Sequence, residues 1–204
     1  MSPTATPAAR QPVTADGSPG RPPLRLAVII GSVREGRFGP TVARWFADHA
    51  GDHGGFEIDL IDLAATPLSL TMDRRGHEEL GERLAAAEAF AVVTPEYNHS
   101  FPAALKNTID WYNHEWHAKP VGFLSYGGLS GGLRAVEQLR VVFAELHAVT
   151  IRDTVSFHGA WSRFGEDGRP VDDDAGRAAG TLLDQLAWWA HALREARAAS
   201  PYVS

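Results

Sequence analysis

Cysteine is missing from the 204-residue chain, which excludes disulfides, thiolate metal sites and a cysteine nucleophile together. Also missing is any apolar run of the roughly 18 to 20 residues that a membrane-spanning helix needs, so no membrane partner is expected. No basic stripe is present either. The net charge is -6, and a chain with that balance is not built to neutralise a phosphate backbone, so no nucleic-acid partner is expected. Residues 1–23, "MSPTATPAARQPVTADGSPGRPP", lack the apolar centre of a signal peptide and are rich in Pro, Ala and Thr. They predict a disordered tail on a cytoplasmic protein. The remainder, in a chain that is 44% hydrophobic and 22% charged, is long enough for one domain with a substantial core.

From Leu24 onward, short apolar runs alternate with longer amphipathic ones, the pattern of a parallel sheet with crossover helices. "LRLAVIIGS", "AFAVVTPEYN" and "VGFLSYGG" are nearly continuous, as strands covered on both faces should be; "FEIDLIDLA" is a weaker version. Helices are predicted at 39–50, 77–89, 101–113, 131–146 and 176–198, the last from Leu182, Leu183, Leu186, Trp189, Ala190 and Leu193 at three- and four-residue spacing. Five strands and five helices predict an α/β, doubly wound parallel sheet of flavodoxin-like order 2-1-3-4-5. The domain is expected to span 24–198, with 199–204 as a C-terminal tail.

Such a fold binds ligands beyond the carboxyl ends of its strands, where the strand order reverses. Three unusual loops fall there. In the first, "GSVREGRFGP", backbone N–H groups and a helix N-terminus converge, Ser32 adds a hydroxyl, and Arg34 and Arg37 add charge-assisted donors. This suits a phosphate monoester. The spacing of Gly31 and Gly36 opens like a triphosphate-binding loop, but Arg37-Phe38 stands where Lys and Ser/Thr should follow, and no Gly-x-Gly-x-x-Gly is present. In the second, "TPEYNHSFPAALKNTIDW", Ser100 is a candidate N-cap with Pro102 in the first turn, aiming the N–H groups of 98–101 at the same crevice. Tyr97 and Phe101 offer apolar surface beside them. The third, "SYGGLSGG", has four glycines that let backbone approach a flat ligand.

Two other motifs carry chemistry. "GLSGG" at 128–132 matches a nucleophile elbow, with Asp153 and His158 following in hydrolase order. A serine hydrolase centred on Ser130 would leave the arginine-bearing loop and the Pro-Glu-Tyr-Asn loop without a purpose. "HEWH" at 114–117 spaces its histidines by three rather than the four of His-Glu-x-x-His, so no metal site is assigned. The aromatic-rich "DWYNHEWH" is a candidate subunit contact.

The set "GSVREGRFGP", "PEYNHSFPAALKNTIDW" and "SYGGLSGGLRAVEQLR", in that order, resembles the NADPH-dependent FMN reductase family of flavodoxin-like proteins from about Leu24 to Leu193. The resemblance implies FMN as cofactor and NADPH or NADH as donor. It implies binding by Gly31, Ser32, Arg34, Arg37, Phe38 and Gly39 in the first loop, with relatives often carrying a small hydroxyl residue in place of Arg37 or Gly39. In the second it implies Pro95, Glu96, Tyr97, Asn98 and Ser100, and in the third Ser125, Tyr126, Gly127 and Gly128. It further implies a homodimer or homotetramer and a small-molecule electron acceptor: free flavin, a quinone or an azo compound. No side-chain acid or base is required for hydride transfer between nicotinamide and flavin. The alternative within the same fold is a one-electron carrier that meets protein partners.

Overall fold

The computed structural model describes residues 22–72 and 77–203. The tail expected at 1–23 lies outside the described residues, apart from Pro22 and Pro23. The elements follow in strict alternation: β1 (Leu24–Ile30), α1 (Gly39–His53), β2 (Phe56–Asp62), α2 (Glu78–Ala86), β3 (Ala89–Pro95), α3 (Ala103–Trp111), β4 (Pro120–Gly127), α4 (Leu133–Glu145), β5 (Val149–His158) and α5 (Asp174–Ala199). All strand pairs are parallel and their order is β2-β1-β3-β4-β5, as the sequence pattern predicts.

Side chains alternate across each strand, and β1 divides its apolar residues between two cores. Leu24, Leu26, Val28 and Ile30 pack with Val42, Phe46, Leu182, Leu183 and Leu186 under α1 and α5. Ala27 and Ile29 pack with Leu84, Leu105, Ile109, Leu139 and Phe143 under α2, α3 and α4. Because β1 and β3 neighbour each other while their crossovers leave on opposite faces, a crevice opens beyond Ile30 and Pro95.

Three structural details add to the sequence expectations. The fifth strand, not delimited by the apolar-run criterion, is Val149–His158 at the edge of the sheet. In the segment 110–117, the candidate subunit contact, Asp110, Asn113 and His114 are exposed and Trp111 is half-buried, while two aromatic rings point inward. Trp116 is fully buried, its ring 4.7 Å from Phe90 and 5.5 Å from Phe143, and its indole N–H donates to Tyr112 O at 3.1 Å. Tyr112 is buried too, and its hydroxyl donates to His77 O. In the same stretch His114 sits beside Glu115, while the His117 ring meets His147 and Tyr202. Finally, within the expected C-terminal tail, Tyr202 Oη lies 2.9 Å from His147 Nδ1.

Candidate functional site

The loops that follow β1, β3 and β4 are tied to one another at the carboxyl edge. The first begins as a continuation of the sheet, with Gly31 N donating to Val93 O at 2.9 Å. Ser32 is fully buried, and its Oγ lies 2.7 Å from Tyr97 Oη in the second loop. The Arg34 guanidinium lies over the same Tyr97 ring, 4.1 Å from its centroid. Tyr97 therefore joins the two loops by a hydrogen bond at one end and a cation–π contact on its face.

Past Arg34 the chain turns into α1. Arg37 Nη2 donates to Asp62 Oδ2 at the end of β2, at 2.5 Å. Phe38 packs edge-on against Tyr126 and Phe164. The helix opens at Gly39-Pro40 without a side-chain cap and without an acidic residue in its first turn, so its positive end is uncompensated by the chain. Gly39 is required by close approach: a Cβ there would stand 2.9 Å from Ile30 Cγ2 and 3.0 Å from Tyr126 Oη. That Tyr126 hydroxyl is buried, its oxygen faces the Gly39 backbone N–H, and its own proton has no acceptor. Burial raises its pKa, so it stays a neutral phenol with a proton to donate.

The second loop differs from the expectation in a specific way. Asn98 and His99 both adopt left-handed backbone, with φ of 51° and 66°, between Tyr97 and Ser100, which exchange N–H···O bonds of 2.8 and 3.0 Å. This is a two-residue type I′ turn. Ser100 is accordingly not the N-cap of α3. Its N–H is spent within the turn, its hydroxyl donates to Gln138 Oε1 at 2.6 Å, and the cap position falls to Pro102. Pro95 is buried at the end of β3, whereas Asn98 is exposed.

Glu96 connects the second loop to the third. Its carboxylate accepts from Ser130 Oγ at 2.8 Å, Arg134 N at 3.1 Å and Arg134 Nη1 at 2.7 Å. Burial alone would raise its pKa, but the Arg134 and Ser130 donors outweigh that and the net shift is downward. Glu96 thus caps α4 from another loop, since the helix has no side-chain cap of its own. Beyond it, Gly128 faces open space, while the Ser125 hydroxyl is turned sideways to Ser156 Oγ at 3.3 Å.

Two functional residues escape a reading of the sequence. Arg134 is detectable in principle, because a cation in the first turn of a helix is disfavoured by the dipole and calls for a nearby carboxylate. Asp62 stands beside Ile30 in the β1–β2 register, and only the strand order reveals that it reaches the first loop.

The geometry does not assemble a serine nucleophile. Ser130 gives its proton to a carboxylate, His158 Nδ1 is engaged with Leu129 O, and Asp153 is bonded to Arg152 and Gln185. Nor does the Ser130 hydroxyl cap its own helix. We expect Ser130→Ala to leave the NADPH-dependent reduction implied by the resemblance largely intact and Ser130 to resist fluorophosphonate labelling. Stoichiometric labelling at Ser130 would reverse that conclusion.

The carboxyl edge thus brings together an uncapped helix N-terminus, an arginine without a carboxylate partner among the described residues and a glycine-bearing third loop. The family model for NADPH-dependent FMN reductase matches residues 24–162. The chain belongs to that family. Among curated relatives of this FMN reductase family member is an NAD(P)H-dependent FMN reductase of Schizosaccharomyces pombe, 36% identical over 120 residues, covering 53% of this chain and 60% of that protein. Another is a 2-hydroxy-1,4-benzoquinone reductase of a Burkholderia species, 30% identical over 178 residues, covering 81% of this chain and 96% of the relative. Among solved structures, the flavoenzyme NAD(P)H:(acceptor) oxidoreductase FerB of Paracoccus denitrificans superimposes with a TM-score of 0.68 at 22% identity, over 83% of this chain and 98% of that one. At that identity the superposition speaks for the fold.

Proposed function

We propose that the chain is an FMN-dependent oxidoreductase that takes a hydride from NAD(P)H and passes electrons to a small acceptor such as free flavin, a quinone or an azo compound. Membership of the FMN reductase family carries the reading. The residues present fit the cofactor's phosphate: an uncapped α1 N-terminus, a buried Tyr126 hydroxyl beside Gly39 whose proton has no acceptor, and Arg34, which has no carboxylate partner among the described residues. In this reading Gly31, Ser32, Arg34, Arg37, Phe38, Gly39 and Tyr126 hold the phosphate end. Pro95, Glu96, Tyr97, Asn98 and Ser100 line the ribityl and ring side, with Ser125, Gly127 and Gly128 opposite.

Bound FMN supplies the hydride chemistry. The chain's part is orientation. Tyr97 locks the first loop to the second, and Glu96 locks the second to α4, so the walls of the crevice are fixed before a ligand arrives. Gly128, with nothing within 4 Å of where its Cβ would stand, leaves one side open for donor and acceptor in turn. No helix among the described residues is long and apolar enough to cross a membrane. The same reading makes the protein cytoplasmic, where its nicotinamide donor is available. It also makes it a homodimer or homotetramer, a second copy covering the exposed Leu129, Leu133 and Trp161 at the carboxyl edge.

The test is direct. The purified protein should bind FMN 1:1, be reduced by NADPH with no protein partner, and give parallel double-reciprocal lines when NADPH is varied at fixed quinone concentrations. Failure of NADPH to reduce the FMN-loaded protein would favour an electron carrier. Intersecting lines with strict selectivity for one acceptor would mean a dedicated acceptor pocket.

A further inference from the structure

We propose that Asp62 is a positioning residue that aims Arg37 at the cofactor phosphate, an inference that rests on the FMN reading above. Arg37 Nη2 donates to Asp62 Oδ2 at 2.5 Å, while Asp62 Oδ1 accepts the Ala64 N–H at 3.0 Å and Asp62 O accepts from Ala65 N and Thr66 Oγ1. The carboxylate is therefore held by its own turn and in turn holds one end of the guanidinium. A guanidinium is a rigid planar fork, so anchoring Nη2 fixes the direction of the remaining donors. One of them, Arg37 Nε, is buried and has no partner.

A buried donor without a protein acceptor is disfavoured, and a ligand or a water can supply the acceptor. A second donor lacks an acceptor: the Tyr126 hydroxyl is buried and set against the Gly39 backbone at the start of α1, its proton without a partner, and the Arg37 charge acts on it. Two unsatisfied donors and an uncapped helix N-terminus thus share one location, which is what an anion with several oxygens requires. With Asp62 the Arg37 charge is already compensated, so Arg37 contributes direction and Arg34 contributes net charge.

This assignment makes a prediction opposite in sign to simple electrostatics. Removing the Asp62 charge makes the site more positive and, on charge alone, would tighten an anionic ligand. The positioning role requires the reverse. We expect Asp62→Asn, whose amide oxygen can still accept the Ala64 N–H, to weaken FMN binding about tenfold in a fluorescence titration and to leave riboflavin unchanged. Arg37→Lys keeps the charge but has no Nε–H, and should lose about as much FMN affinity as Arg37→Ala. Thermal melts of the apoproteins establish that each variant is folded. If Asp62→Asn binds FMN as well as or better than the wild type, or if Arg37→Lys binds it normally, the positioning role is overturned while an FMN preference lost in Arg34→Ala keeps the phosphate reading. If the wild type binds FMN and riboflavin equally, the phosphate reading itself fails, and this inference with it.

Discussion

Replacing Trp116 with Ala should destabilise the protein by about 3 to 5 kcal/mol, the range for deleting a fully buried large aromatic side chain. The indole fills the space between Phe90 and Phe143 on the α4 face of the sheet and is fully buried. Its removal leaves a cavity that the neighbouring β3 and β4 side chains cannot close without moving the sheet. In a domain of this size, that corresponds to a fall in melting temperature of about 10 °C or more. His114→Ala, in the same segment but with an exposed side chain, should change stability by less than about 0.5 kcal/mol. Thermal denaturation of the two variants measures the difference. A Trp116→Ala protein with unchanged melting temperature and a smaller assembly mass would instead place Trp116 itself in the subunit contact.

That segment shows where sequence and structure part. β1, β3 and β4 are legible because strands covered on both faces must be apolar throughout, and each carries such a run. β5 is an edge strand with partly exposed positions, and Arg152 and Asp153 interrupt its pattern, so the same criterion misses it. "DWYNHEWH" mixes polar and aromatic residues as a contact surface does, and nothing local reveals that Trp116 points inward. At the site, the three loops are identifiable from strand ends and from glycine and arginine content. Their internal bonding is not. Ser100 two residues before Pro102 looks like a helix cap, and His99 disguises the two positive-φ positions that Asn-Gly would have announced. The Arg37–Asp62 and Glu96–Arg134 pairs join residues 25 and 38 apart, and such partners are set by strand order rather than by spacing.

Arg34→Ala should weaken FMN binding by about 1.5 to 3 kcal/mol, the value of a hydrogen bond to a charged group, and leave riboflavin binding nearly unchanged. Arg34 is the appropriate residue because its guanidinium, held over Tyr97 at 4.1 Å, has no carboxylate partner among the described residues, whereas Arg37 is engaged by Asp62. An uncompensated cation in a loop that opens toward solvent contributes through its net charge, and that contribution is screened by salt. The loss should therefore be larger at low ionic strength, and the salt dependence of FMN affinity should be shallower in Arg34→Ala than in the wild type. Riboflavin has the ring and ribityl chain but no phosphate, so any parallel fall in its affinity would assign Arg34 to the Tyr97 wall instead. Titrating both flavins into wild type and variant at two salt concentrations separates these cases. Equal loss for FMN and riboflavin, independent of salt, would remove Arg34 from the phosphate end and return it to a packing role on Tyr97.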